Sequence, residues 1–151
     1  MARVNIGVDP HYLTDQWLVA ESVEITMISG GLRKNQYQIK GKIPDTFRLG
    51  TGHINFFKPK LYYLEKRLIA VNHEMVTRGF KPGTSSADLQ GFPSHFYNDW
   101  SPTLEDSHIL RNRLIEKLDN KPHIWRYKRT LLNPIADEFK ALICNGPLFY
   151  V

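Results

Sequence analysis

The residues best suited to chemistry stand near the start of the chain: Ala2 behind a methionine, Arg3 beside it, and the carboxylates Glu21 and Glu24 further along. A side chain as small as that of Ala2 lets the methionine be removed, exposing an α-amino group of intrinsic pKa about 7.7–8.0. Such an amine is partly neutral near pH 7. It can then form a Schiff base with a sugar or carbonyl carbon, as catalytic lysines of lowered pKa do. The charge of Arg3 lowers the amine's pKa further. Read plainly, Ala2 only permits processing.

Other chemistries lack their residues. The six histidines are dispersed, and none pairs with another histidine, a cysteine or a carboxylate at zinc-ligand spacing. Neither a metal nor an organic cofactor is expected. There is no GxxxxGKS or GxSxG, and Cys144 reads as a small apolar filler. Gly50-Thr51-Gly52-His53 is too short for a nucleotide loop, and its glycines permit a tight turn. Trp125, Arg126 and Tyr127, followed by Lys128 and Arg129, interleave basic and aromatic side chains. That pattern grips a phosphate backbone while stacking on bases. Read plainly, it is a solvated basic edge with a half-buried tryptophan. Arg33, Lys34, Arg113 and Lys117 extend the surface if the fold brings them to one face.

The elements that must position these residues read as mainly α: a compact single domain of about three main helices with long ordered loops. Asp9-Pro10 predicts a helix start. Leu13, Trp17, Ala20, Glu21 and Glu24 then share one stripe, with Glu24 near the helix end, and Gly30-Gly31 interrupt or bend the helix. An ordered loop follows from Tyr37 to Phe57. Lys58-Pro59 opens a second helix with a seam of Leu61, Leu64, Leu68, Val71 and Met75, with Tyr62, Glu65, Lys66 and Arg67 facing outward and Gly79 as its stop. Thr103-Leu104-Glu105-Asp106 predicts a third, with Leu110, Leu114 and Leu118 buried and Lys121-Pro122 ending it. The chain closes with a short amphipathic segment and an apolar tail.

The 151 residues fit one domain, and 20 Lys plus Arg against 15 Asp plus Glu give a net charge of +5, which suits a polyanionic partner. A lone cysteine forms no internal disulfide and fits a reducing compartment. No apolar run is long enough to span a membrane, and no signal-peptide pattern is present. The expectation is a soluble, intracellular monomer.

In order and spacing the chain resembles the phage pyrimidine-dimer DNA glycosylase family, also called endonuclease V of the T-even phages. The resemblance rests on Arg3-Val-Asn5, Asp15-Gln16 with Ala20-Glu21 and Glu24, Arg33-Lys34, Thr46-Phe-x-Leu49-Gly50-x-Gly52-His53 and Phe56-Phe57. It continues through Lys60-Leu61, Lys66-Arg67, Arg78-Gly79-Phe80, Arg113-Leu114 and Glu116-Lys117 to about residue 129. No single piece is diagnostic; their collinearity is.

The resemblance implies a DNA glycosylase with apurinic/apyrimidinic lyase activity on double-stranded DNA, acting without cofactor. The amine of Ala2 would attack the deoxyribose C1′, release the base, leave an imino link to the DNA and nick the strand by β-elimination. Glu24 matches the essential carboxylate that stabilises the cationic sugar. Arg3 and Gln16 match residues near the reaction centre, Thr84 and Ser85 small hydroxyl residues beside the DNA groove, and Arg113 and Lys117 phosphate contacts. The family kinks the duplex and flips out a base.

The departures concern substrate choice. Val23 and Met27 replace two arginines that flank the catalytic glutamate, and Trp17 replaces a histidine. They remove charge and add apolar surface beside the sugar, so the candidates are pyrimidine dimers first and a different damaged or modified base second. A non-catalytic duplex-kinking binder comes third, disfavoured because it needs neither Ala2 nor Glu24. Residues 130–151 extend beyond the resemblance, either covering the core or enlarging the DNA surface.

Overall fold

Thr14 sets the start of the longest helix. Its backbone is extended and its hydroxyl accepts the Trp17 N–H at 3.2 Å, capping α1 (Asp15–Lys34). The computed structural model describes residues 4–132 and 137–151. Asp9 does cap a turn, but only the 3-10 turn Pro10–Tyr12, which gives way to extended backbone at Leu13. The helix expected at Pro10 starts later because the backbone turns extended at Leu13 and Thr14 caps a second start.

α1 also runs through Gly30-Gly31 unbroken, and neither glycine takes positive φ. Each costs about 1 kcal/mol against alanine in a helix interior. Burial of Ile25, Ile28 and Leu32, and a 3.1 Å hydrogen bond from the Ser29 hydroxyl to the Asp88 carbonyl, hold that stretch helical. Glu24 therefore lies in the middle of the helix, not near its end.

The expected loop ends early, in α2 (His53–Phe57). Gly52 precedes it at φ +93°, and a Cβ there would meet the Pro44 ring at 2.9 Å, so only glycine makes this turn without displacing the loop. α3 (Leu61–Thr77) buries its whole expected seam. It stops at Gly79, with the Phe80 N–H bonded back to the Met75 carbonyl at 2.9 Å.

Arg67 is the exception on α3. Expected to face outward, it is fully buried. Its Nε and Nη2 donate to Glu21 at 2.7 and 3.0 Å, and Nη1 donates to the Val8 carbonyl at 2.6 Å. α1 packs along α3, and a charge enters such an interface only with partners.

α4 (Leu104–Asn120) starts at the expected capping box of Thr103 and Asp106 and buries Leu110, Leu114 and Leu118. The basic-aromatic stretch then forms a hairpin of β1 (Arg126–Tyr127) and β2 (Thr130–Leu131). Its two turn residues, Lys128 and Arg129, both take positive φ, at 49° and 68°. Such turns favour Asn and Gly. The carboxylate of Asp15 compensates by accepting both turn N–H groups, at 3.0 and 2.6 Å.

α5 (Asp137–Asn145) packs on α4 and buries Phe139 and Ile143. Arg111 donates to the carbonyls of Gly146 at 2.7 Å and Pro147 at 3.1 Å, and to that of Gly7 at 3.1 Å. The Phe149 N–H reaches the same Gly7 carbonyl at 3.0 Å. A Cβ on Gly7, which sits at φ +70°, would lie 2.7 Å from the Leu148 side chain. The C-terminal extension thus covers the core and braces the N-terminal segment.

The fold is mainly α, with three long helices, long ordered loops and one core that takes in residues from Val4 to Ile143. Among the described residues no helix is long and apolar enough to cross a membrane.

Candidate active site and nucleic-acid interface

Ala2 and Arg3 lie outside the described residues, so the site is built from Val4 onward. Val4 and Asn5 are buried and held at consecutive points. The Val4 N–H donates to His53 Nε2 at 3.2 Å, and the Asn5 amide donates to Glu21 Oε1 at 2.8 Å. Glu21, locked by Arg67, stands one turn before Glu24 on α1.

The outer face of α1 is apolar. Val19, Val23 and Met27, spaced by four, are 37, 50 and 51% exposed. Trp17 points elsewhere: it is buried, with its ring 5.0 Å from that of Trp125. Val23 and Met27 therefore do not pack on it, and Trp17 is a core residue rather than added surface.

Polar and basic groups frame this face. On one side, α4 carries Arg113, exposed, and Lys117, half-buried. Burial holds the pKa of Lys117 below the ordinary lysine value, the charge of Arg113 lowers it further, and Glu24 opposes both. That opposition puts the Glu24 carboxylate within electrostatic reach of Lys117. On the other side, Ser22, Asn72 and Thr84 interlock. The Ser22 hydroxyl lies 2.6 Å from Asn72 Oδ1 and 2.8 Å from the Thr84 hydroxyl, and the Asn72 amide donates to the Thr84 carbonyl at 2.9 Å. Ser85 is exposed and pairs with Asp88 in a capping box. At the far end Arg33 lies 4.6 Å over the Phe92 ring and donates to the Gln90 carbonyl at 3.3 Å, and Lys34 is exposed beside it.

The near end is closed by the hairpin. Gln16 spends both ends of its amide on it, donating to the Ile124 carbonyl at 2.6 Å and accepting the Arg126 N–H at 3.0 Å. Trp125, expected either to stack on bases or to lie half-buried, is buried with its ring tilted at 50° against that of Trp17. The Tyr127 hydroxyl donates to the His11 carbonyl at 2.7 Å, and its ring carries Arg78. Of these three hairpin side chains only Arg126 is exposed. Two clefts flank Gln16: one of about 530 Å³ running past Val19, Val23 and Phe80 to Arg126 and Arg129, the other of about 450 Å³ between Trp17, Trp125, Lys117 and Lys121.

Sequence reasoning named Asn5, Glu21, His53 and Arg67 but missed that they organise the site. The one available signal was Glu21 on the apolar stripe of α1, since a carboxylate there requires a buried cation. The sequence model of the family described as pyrimidine dimer DNA glycosylase matches residues 1–88, more than half of the chain and all of α1, α2 and α3. The chain belongs to the pyrimidine dimer DNA glycosylase family.

Proposed function

We propose that the protein is a DNA glycosylase with abasic-site lyase activity whose nucleophile is the α-amino group of Ala2 and whose acid–base group is Glu24. The observation that carries this reading is the double anchorage of Val4 and Asn5 one helical turn from Glu24. Two residues of chain reach at most about 7 Å, so the Ala2 nitrogen stays near the Val4 nitrogen. Residues three apart on a helix are neighbours, with Cβ atoms about 5–6 Å apart, so Glu21 and Glu24 offer adjacent positions. Glu21 holds the arm through Asn5, and Glu24, half-buried near Lys117, is the carboxylate that meets the substrate.

In the reaction the neutral amine attacks C1′, the N-glycosidic bond breaks, and its electron pair leaves with the base. Loss of the amine proton and opening of the sugar ring give an imine between Ala2 and C1′. Removal of a C2′ proton then expels the 3′ phosphate, and water releases the enzyme from C1′. The Glu24 carboxylate stabilises the positive charge on the sugar and iminium and carries the protons.

Duplex DNA lies across α1, with Arg113, Lys117 and Lys34 at phosphates, Thr84 and Ser85 along the opposite wall, Arg126 at the near end and Arg3 beside the reacting sugar. Gln16 and Tyr127 shape that end through the backbone they hold, and Arg33 braces the far one. Pyrimidine dimers are the first substrate. A second reading, excision of another damaged or modified base, is favoured by the exposure of Val23 and Met27: the centre of the face is apolar and uncharged.

Borohydride reduction on duplexes containing an abasic site, a thymine dimer or modified bases tests the reading. The expected result is a covalent adduct that mass spectrometry maps to the Ala2 nitrogen. An adduct on a lysine side chain overturns the amine, and tight binding without any adduct makes the protein a duplex-kinking binder.

A further inference from the structure

We propose that His53 is a positioning residue for the nucleophile: its imidazole braces the N-terminal arm and fixes where the α-amino group points. The inference rests on the reading that this amine attacks the sugar. A backbone N–H can only donate, so the 3.2 Å contact from Val4 requires Nε2 to accept. Nδ1, 2.9 Å from the Arg48 carbonyl, then carries the hydrogen and donates it. The ring is thereby tied at one nitrogen to the Gly52 turn and at the other to the arm. Its own freedom is small, because it is buried with the rings of Phe47 and Phe57 at 5.6 and 5.1 Å.

A buried N–H must be satisfied, and a main-chain carbonyl or a cap is the common solution. Here the acceptor is a side chain 49 positions away. Packing alone asks for no histidine at this place, since phenylalanine fills a similar volume among the same rings. What the imidazole adds is an acceptor at the outer end of the ring. Together with the Asn5–Glu21 bond it fixes two successive residues, and two points define a direction for the chain that precedes them. With one lost, the arm pivots about the other. Reacting groups displaced by about 1 Å lose about a hundredfold in rate. DNA binding escapes, because His53 is buried away from solvent.

The test compares single-turnover borohydride trapping on an abasic duplex with duplex affinity, for the wild type, His53→Phe and His53→Gln. Glutamine carries its amide oxygen at about the reach of Nε2 and restores the acceptor. The expected result is a trapping rate about tenfold to a hundredfold lower for His53→Phe with unchanged affinity, and recovery toward the wild-type rate for His53→Gln. Should His53→Phe fail to melt cooperatively, His53→Asn, whose amide is too short to reach Val4, takes its place. Slow hydrogen exchange at the Val4 amide of the unaltered protein is expected as well, and free exchange there overturns the brace. Wild-type trapping at Ala2 with an equal rate in the phenylalanine variant overturns the inference and leaves the amine mechanism standing. Equal impairment of the phenylalanine and glutamine variants, or affinity lost in step with rate, does the same. Absence of an Ala2 adduct in the wild type overturns both.

Discussion

Glu21 and Glu24 are chemically identical and three residues apart, yet their surroundings differ. Glu21 is closed in by Arg67 and Asn5, which occupy both of its oxygens. Glu24 is half-buried beside the cations of α4, where it faces the proposed DNA surface. The two respond differently to the same change. Glu24→Gln keeps size and hydrogen bonding but removes the charge proposed to stabilise the cationic sugar, so base excision on lesion duplexes should fall at least about a hundredfold. Affinity for the duplex and the melting temperature should hold. Normal cutting with poor binding would make Glu24 a contact residue instead. Glu21→Gln leaves a buried arginine without its counter-charge, and a loss of about 3–5 kcal/mol in denaturant unfolding is expected.

The helices show what a sequence does and does not disclose. The seams of α3 and α4 were legible because each apolar position follows the helical period and each end carries a strong signal, Gly79 in one case and the Thr103–Asp106 box in the other. α1 was misread at its start and its middle, because Asp9-Pro10 and Gly30-Gly31 are local signals that a nearby cap and the packing of Ile28 and Leu32 override. Arg67 was misread because its partner lies on another element and spacing within α3 carries no trace of it. Of the candidate site, the basic edge of α4 was legible as a surface feature, whereas the burial of Trp125 was not: an aromatic among basic residues reads the same whether it faces water or another tryptophan. α1 itself carries the test of substrate choice. Arginines restored at Val23 and Met27, both about half exposed, should steepen the salt dependence of lesion binding by up to about two units of log–log slope and raise preference for dimer-containing DNA. Both positions face outward, so the double variant should melt as the parent does. A stably folded variant with unchanged slope and preference would remove them from substrate choice.

Over the whole molecule, the two ends of the described chain are tied together at the carbonyl of Gly7, which accepts from Arg111 and from the Phe149 N–H. Arg111 carries no carboxylate partner among the described residues and is held by main-chain carbonyls alone. Arg111→Met should therefore strand buried acceptors and cost about 2–3 kcal/mol, seen as a melting temperature lower by about 5–10 °C. Trapping on abasic DNA should weaken with it, since the arm loses a support behind Asn5. An unchanged melt would show that the tail does not brace the arm. The tie also orders events during synthesis. Residues 4–8 leave the ribosome long before their support at residues 146–149, which follows α5. A chain abandoned before residue 146 already carries the N-terminal segment but lacks the strut that braces it at Gly7. On the proposed mechanism cutting is thus coupled to the docking of the tail, and a product truncated there should cut DNA poorly.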